Sequence, residues 1–274
     1  MGLSTNDPAF ANRFQLIYAE CASAEPEPGS AVVLRCTVHI PPTGPTLRVH
    51  LDPPLTDAGV ITSLLHDEAG EGRVAFTGDV FEVPLASSWQ LIVGQLAVGA
   101  ILALQPDYFF FHAGAVAIAD RGVLLTGRSG SGKTSVSLAL AARGHGFLSD
   151  EVGALRLDSG ELVPVRRAAL VRHGGQTQQY VSVSQVYPAA AARIVRLTDV
   201  VYLRSFASVT SLETVPLTPA RLDLLTPLAS SLCGSNAGTR VTRVFAHLGR
   251  ARGYALDAAS PEEAATVIER ALAS

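Results

Sequence analysis

The chain is almost without lysine: of 21 basic residues in 274, one is lysine, Lys133, and the rest are arginine. Whatever a side-chain amine does in this protein, it does at one place. Cysteine is scarce too. Cys21, Cys36 and Cys233 are an odd number at wide spacing with no C-x-x-C, which fits neither a disulfide framework nor a zinc knuckle and leaves buried or indifferent thiols in a reducing compartment. Asparagine occurs only at positions 6, 12 and 236, so no N-K-x-D exists to support a GTP switch. Charge of one sign is also lacking. A formal net charge of -3 provides no basic field of the kind that neutralises a phosphate backbone, so no nucleic-acid partner is expected, while small charged ligands stay compatible.

Long apolar runs are missing as well. The most apolar stretch, Trp89 to Leu104, is shorter than the roughly 20 residues of a bilayer-spanning helix and carries Gln90 and Gln95, so no membrane association is expected. It reads as a core helix, capped by Ser87 or Ser88 and ended by the turn Gln105-Pro106-Asp107. The first residues lack the charged-then-apolar pattern of a signal peptide, and Asn6 stands where a myristoylation motif needs serine or threonine. A cytoplasmic protein is the expectation, and assembly into a homo-oligomer is compatible with it.

What the chain does have is a hydrophobic fraction of 48%, ample for a core. In the first third, short β-like runs (AVVLRCTVHI, TLRVHL, RVAFTGDVFEV) alternate with turn signals (EPEPG, PPTGP, DPPL). Leu47, Val49 and Leu51 alternate with Arg48 and His50, which predicts a strand buried on one face. Residues 1–85 are therefore expected to form an antiparallel β-rich region. From 86 to 274 the pattern is mixed α/β: helix, two apolar strands, a glycine-rich loop, a helix, and a short strand ending in Ser-Asp-Glu. Ser260-Pro261-Glu262-Glu263 is a capping box that opens a closing helix with Ala264, Val267, Ile268, Ala271 and Leu272 on one face.

The single lysine sits in Gly127-Arg128-Ser129-Gly130-Ser131-Gly132-Lys133-Thr134, which matches G-x-x-x-x-G-K-[ST] at every fixed position, between strand-like GVLLT and helix-like SVSLALAARG. Glycines let the backbone curl so that successive amides face one phosphate at the positive end of the following helix. A slim ammonium suits the inside of such a loop better than a planar guanidinium does. Gly127, Ser129, Gly130, Ser131, Gly132, Lys133, Thr134 and Ser135 are the expected nucleotide-binding residues, and the Thr134 hydroxyl is a candidate Mg²⁺ ligand.

The helix should end at Gly144, so that HGFLSDE runs back along the sheet and brings Asp150 and Glu151 to the edge that holds the phosphate loop. Upstream, FFHAGAVAI and GVLLTG are joined by Ala119-Asp120-Arg121-Gly122. Pairing Ile118 with Val123 sets His112 opposite Ser129, near the phosphates. Arg166, Arg167 and Arg172 are candidates for a further cation, but read more readily as a solvated basic face.

The stretch from Phe111 to Val152 resembles the catalytic core of the HPr serine kinase/phosphorylase family and its shorter HPr-kinase-like relatives, with a histidine-bearing strand, the loop, and an R-G-H…D-[DE] segment in that order. The resemblance implies a phosphoenolpyruvate-carboxykinase-like P-loop fold and transfer of the ATP γ-phosphate to a serine hydroxyl. It also implies that Asp150 is the general base, that Glu151 is a second acidic position near Mg²⁺, and that His112 and Lys133 belong to the catalytic set. The family's second, glycine- and arginine-containing signature is not found here, which puts the reverse, phosphorolytic reaction in doubt. Shorter relatives resemble peptide-tailoring kinases, so the acceptor is expected to be a serine-containing protein or peptide.

Three other readings compete. A transport or motor ATPase is opposed by order, since Asp-Glu follows Lys133 by 17 residues and precedes HGGQ at 173–176. A purely regulatory nucleotide-binding module needs no carboxylate beside a phosphate. A small-molecule kinase is the nearest alternative.

Overall fold

The computed structural model describes residues 2–20, 34–55, 63–67, 70–74, 78–85, 89–165, 167–173, 177–217 and 237–273. Cys21, Cys233, the Ser87/Ser88 cap, Arg166 and residues 174–176 lie outside them. The described part is a mixed α/β protein with several sheets, and its contacts divide it into two compact units.

The first unit holds β1 (Gly2–Thr5), α1 (Pro8–Ile17), β2 (Arg35–His39), β3 (Thr46–Leu55), β4 (Ser63–Asp67), β5 (Gly70–Val74), β6 (Gly78–Pro84) and α2 (Trp89–Ala103). Its main sheet runs β1-β2-β3-β6, antiparallel apart from the parallel β1–β2 pair, while β4 and β5 form a separate hairpin. Leu47, Val49 and Leu51 are fully buried and Arg48 and His50 exposed, as the alternation predicts. Buried Cys36 lies in this core, where burial pushes its thiol up to about 12 and leaves it inert. The predicted boundary after residue 85 would give α2 to the kinase region. The observed unit instead runs on to Pro106, because Ile92, Val93, Leu96, Ala97 and Ala100 pack with the residues of β2, β3 and β6.

The second unit holds β7 (Tyr108–His112), β8 (Gly114–Ile118), β9 (Arg121–Gly127), α3 (Lys133–Ala142), β10 (Gly146–Ser149), β11 (Val152–Arg156), β12 (Glu161–Val163), β13 (Ala169–His173), β14 (Thr177–Val181), α4 (Val183–Val186), β15 (Val195–Phe206), β16 (Ser211–Val215), most of α5 (Ala237–Leu248), β17 (Arg252–Ala258) and α6 (Pro261–Ala273). β9 is central. Its apolar run is buried on both faces, as expected of a strand covered on both sides. Val123 and Leu125 pack with α3 and α6, whereas Leu124 packs with Phe109, Phe111 and the α5 residues Val244 and Leu248. Each such side chain contributes roughly 1.5–3 kcal/mol by leaving water.

Strand direction decides where chemistry can gather. β15 runs parallel to β9 and β17 parallel to β15, while β10 is antiparallel to β8, which is antiparallel to β9. Two reversals make β10 parallel to β9, so the residues after Gly127 and those after Ser149 emerge at one edge of the sheet. The closing helix starts as predicted, with the Glu263 amide donating to Ser260 Oγ at 3.1 Å.

Candidate phosphate-binding site

The loop after β9 has the backbone that its glycines predict. Gly127, Gly130 and Gly132 have φ of 145°, 81° and 96°, all in the range that disfavours other residues. A β-carbon on Gly127 would lie 2.5 Å from the Leu203 carbonyl oxygen and 2.6 Å from Ser131 Oγ, and one on Gly132 would lie 2.6 Å from the Phe206 ring. Gly132 is also the N-cap of α3. The loop therefore sits against the positive end of a ten-residue helix, where the unpaired amides of a first turn attract anions.

Lys133 is buried, with 7% of its surface exposed, and its ammonium donates to the carbonyl oxygens of Gly127 at 2.8 Å and Arg128 at 3.0 Å. The side chain bends back across its own loop. Burial draws its pKa below the usual lysine value, against the opposing pull of Glu151 and Asp150. Ser131 Oγ is buried without a hydrogen-bond partner, while Ser129 and Ser135 stand exposed on the loop and the first helical turn.

Asp150 follows β10 and is 3% exposed. Its Oδ2 accepts a hydrogen bond from Thr134 Oγ1 at 3.0 Å, and its Oδ1 is buried with no partner. Burial raises its pKa above the ordinary carboxylate value. Arg167 and the Thr134 hydrogen bond oppose that rise, and Glu151 adds to it. The turn is held by buried Ser149, whose Oγ accepts from the amides of Glu151 at 3.3 Å and Val152 at 3.0 Å. This device was not anticipated, although serine ahead of an acidic pair is a known local turn former.

His112 reaches the site by a different route from the one predicted. The hairpin turns at Ala119-Asp120, so Ile118 pairs with Arg121 and Val116 with Val123, two residues away from the expected register. Ala119 adopts φ 51°, and this allows so tight a reversal. The histidine strand also breaks at Ala113. His112 ends β7, which pairs with β11 rather than β9, and its partner is Val152, not Ser129. It stands beside the acidic turn, where the Ala113 amide donates to the Glu151 carbonyl at 3.1 Å. Burial lowers the pKa of its imidazole, the charges of Lys133 and Arg167 lower it further, and Glu151 opposes them.

Arg167, a candidate cation in the sequence but read more readily there as part of a solvated basic face, stands elsewhere. Its side chain is 13% exposed and its Nη1 forms an ion pair with Glu151 Oε2, so it faces the site and not a solvated basic surface. Glu151, the expected metal ligand, is thus engaged by a guanidinium.

Among the described residues, no group of three or more His, Cys, Asp or Glu side chains gathers as a metal cluster. The oxygen donors present still suit one hard cation. Thr134 Oγ1 and Asp150 Oδ2, 3.0 Å apart, fit Mg²⁺, an ion that takes one or two protein oxygens and shares the rest with phosphates and water.

No family model matches the chain. The HPr kinase/phosphorylase of Chlorobium limicola is 41% identical over 64 residues, which are 23% of this chain and 19% of that protein. The Chlorobium luteolum protein of the same name is 45% identical over 49 residues, or 18% and 15% of the two chains. The matched stretches thus span under a fifth of these relatives. A solved HPr(Ser) kinase/phosphatase from Coxiella burnetii superposes with a TM-score of 0.36 and 18% identity over 60% of this chain and 93% of that one, too distant to support an argument about fold. The resemblance seen in the sequence agrees with the names of these relatives.

Proposed function

We propose, for a chain that is HPr-kinase-like, an ATP-dependent serine kinase that transfers the γ-phosphate to a serine hydroxyl of a protein or precursor peptide. Its core would be a P-loop, phosphoenolpyruvate-carboxykinase-like domain. One observation carries this reading: a buried aspartate, Asp150, shares the sheet edge with the phosphate loop and keeps one carboxylate oxygen without a partner. A structural carboxylate would have both oxygens satisfied. One that is to accept a proton needs a free lone pair and a pKa brought up toward neutrality, and burial acts in that direction here.

In the proposed reaction the acceptor hydroxyl gives its proton to Asp150 while its oxygen bonds to the γ-phosphorus, and the bond to the β–γ bridging oxygen breaks to release ADP. The loop amides and Lys133 stabilise charge on the migrating group, and positioning supplies most of the rest. For this, Lys133 exchanges the carbonyls of Gly127 and Arg128 for phosphate oxygens. Thr134 and Asp150 would hold Mg²⁺, which supplies charge neutralisation at the phosphates. The lowered pKa of His112 favours a neutral imidazole beside the acidic turn, able to orient an acceptor without adding charge.

The test uses radiolabelled γ-phosphate ATP with the protein alone and then with a panel of serine-containing peptides and small hydroxyl compounds. Label on peptide serine supports the reading. Label only on small molecules replaces it with a small-molecule kinase, and release of free phosphate alone replaces it with an ATPase.

A further inference from the structure

We infer that Arg167 recognises the terminal phosphate of a bound nucleoside triphosphate, and that Glu151 is the partner which holds the guanidinium until that phosphate arrives. The inference rests on the proposed kinase reading and adds to it a residue and a division of labour between the two acidic side chains.

Three observations converge. First, Arg167 is anchored beside the site: the amide of Val165 donates to the Leu148 carbonyl at 3.0 Å, which fastens its segment to β10, the strand that delivers Asp150. Second, the guanidinium is largely buried and directed at the acidic turn, where it pairs with Glu151 and its charge bears on both Asp150 and His112. Third, Glu151 is the more exposed partner, its side chain 44% exposed against 13% for Arg167. The carboxylate can return to water at little cost, whereas the arginine needs an anion inside the site. A phosphate oxygen offers the geometry that a guanidinium fork matches best.

The pair also explains how adjacent acids differ. Asp150 faces inward, where its Oδ2 accepts from Thr134, while Glu151 faces the cation. A site with Lys133 on one side and Arg167 on the other would clamp a triphosphate end from two directions, and a diphosphate would reach only the lysine side.

The experiment is calorimetric titration of wild type, Arg167→Gln and Glu151→Gln with ATP and with ADP, each in EDTA and again with Mg²⁺. If wild type binds neither nucleotide, the kinase reading itself fails. Given binding, Arg167→Gln should weaken ATP affinity about tenfold or more, the worth of a charge-assisted hydrogen bond, and leave ADP within about twofold. Glu151→Gln, which removes the carboxylate that competes with the phosphate for Arg167, should tighten ATP in EDTA and leave ADP unchanged. Equal losses for ATP and ADP in Arg167→Gln, or an unchanged ATP-to-ADP ratio, overturn the inference. So does a Glu151→Gln protein that binds ATP as wild type does in EDTA but more weakly with Mg²⁺, since Glu151 would then be a metal ligand. If Arg167→Gln fails to fold, as read by circular dichroism, the Glu151→Gln titrations decide alone.

Discussion

Two aspartates are buried at opposite edges of the same sheet, and they are buried in opposite ways. Asp199, fully buried near the start of β15, pairs in register with Val123 at the beginning of β9. Arg121 grips it with Nε at 3.0 Å and Nη2 at 2.7 Å, Arg252 Nε adds a bond at 3.2 Å, and Thr198 Oγ1 donates at 2.6 Å. Both of its oxygens are taken. Asp150, at the edge where β9 and β10 end, has a single hydroxyl on one oxygen and nothing on the other. The same side chain, equally deep, is in one case a fastener across three strands and in the other a group left under-satisfied. Desolvation that is offset tells of structure, and desolvation that is not offset tells of chemistry.

The sharpest way to test that contrast is to make the same substitution at both positions. Asp150→Asn should lower phosphoryl transfer by about 10²- to 10⁴-fold, the usual worth of a positioned general base, while nucleotide binding in EDTA survives. Its stability should move the other way. Because the folded-state pKa of Asp150 is raised, its favourable contribution is complete only below the unfolded value and is lost as pH rises through the folded one. At neutral pH the asparagine variant should therefore melt at or above the wild-type temperature. A variant that loses both activity and stability would make Asp150 a second Asp199.

Asp199→Asn should reverse the pattern. Leaving Arg121 and Arg252 without their anion costs about 3 kcal/mol, the low end for a broken buried pair because both arginines are partly solvated. Denaturant unfolding measures this. Transfer by the fraction that stays folded should stay close to wild type, and a large loss of turnover would tie the two edges together.

The smallest expected effect concerns His112. Its lowered folded-state pKa means that its contribution is present above the unfolded histidine value and is lost as pH falls through the folded one. His112→Gln should flatten part of the decline in stability on the acid side and lower turnover modestly. Thermal melts between about pH 5 and 8 check the first, and a difference between the two proteins confined to alkaline pH would contradict it.

How much of this could be read from the chain varied with the range of the interaction. The turns of the glycine-rich loop, the end of α3 at Gly144, the alternation in β3 and the cap of α6 are local, set by residues within a few positions of one another, and all four are found where the sequence puts them. The register of His112 depends on the length of a two-residue turn and on a strand break at Ala113, and a small shift there sends the imidazole to a different neighbour. Arg167 could not be told from Arg166 or Arg172 by sequence, because what singles it out is an ion pair with a residue 16 positions earlier. α2 is apolar nearly all round, so its own pattern does not reveal which sheet it covers.

The single lysine has one more consequence, which concerns proteolysis. An endoproteinase specific for lysine has one target bond in the whole chain, Lys133–Thr134, and that bond lies between the two residues expected to grip phosphate and metal. Lys133 is buried and tied to two carbonyls of its own loop, so cutting requires the start of α3 to unwind and the ammonium to leave its place. The rate of this one scission is thus a clock for local opening of the phosphate loop, separate from opening elsewhere, when opening and reclosing are fast relative to cleavage.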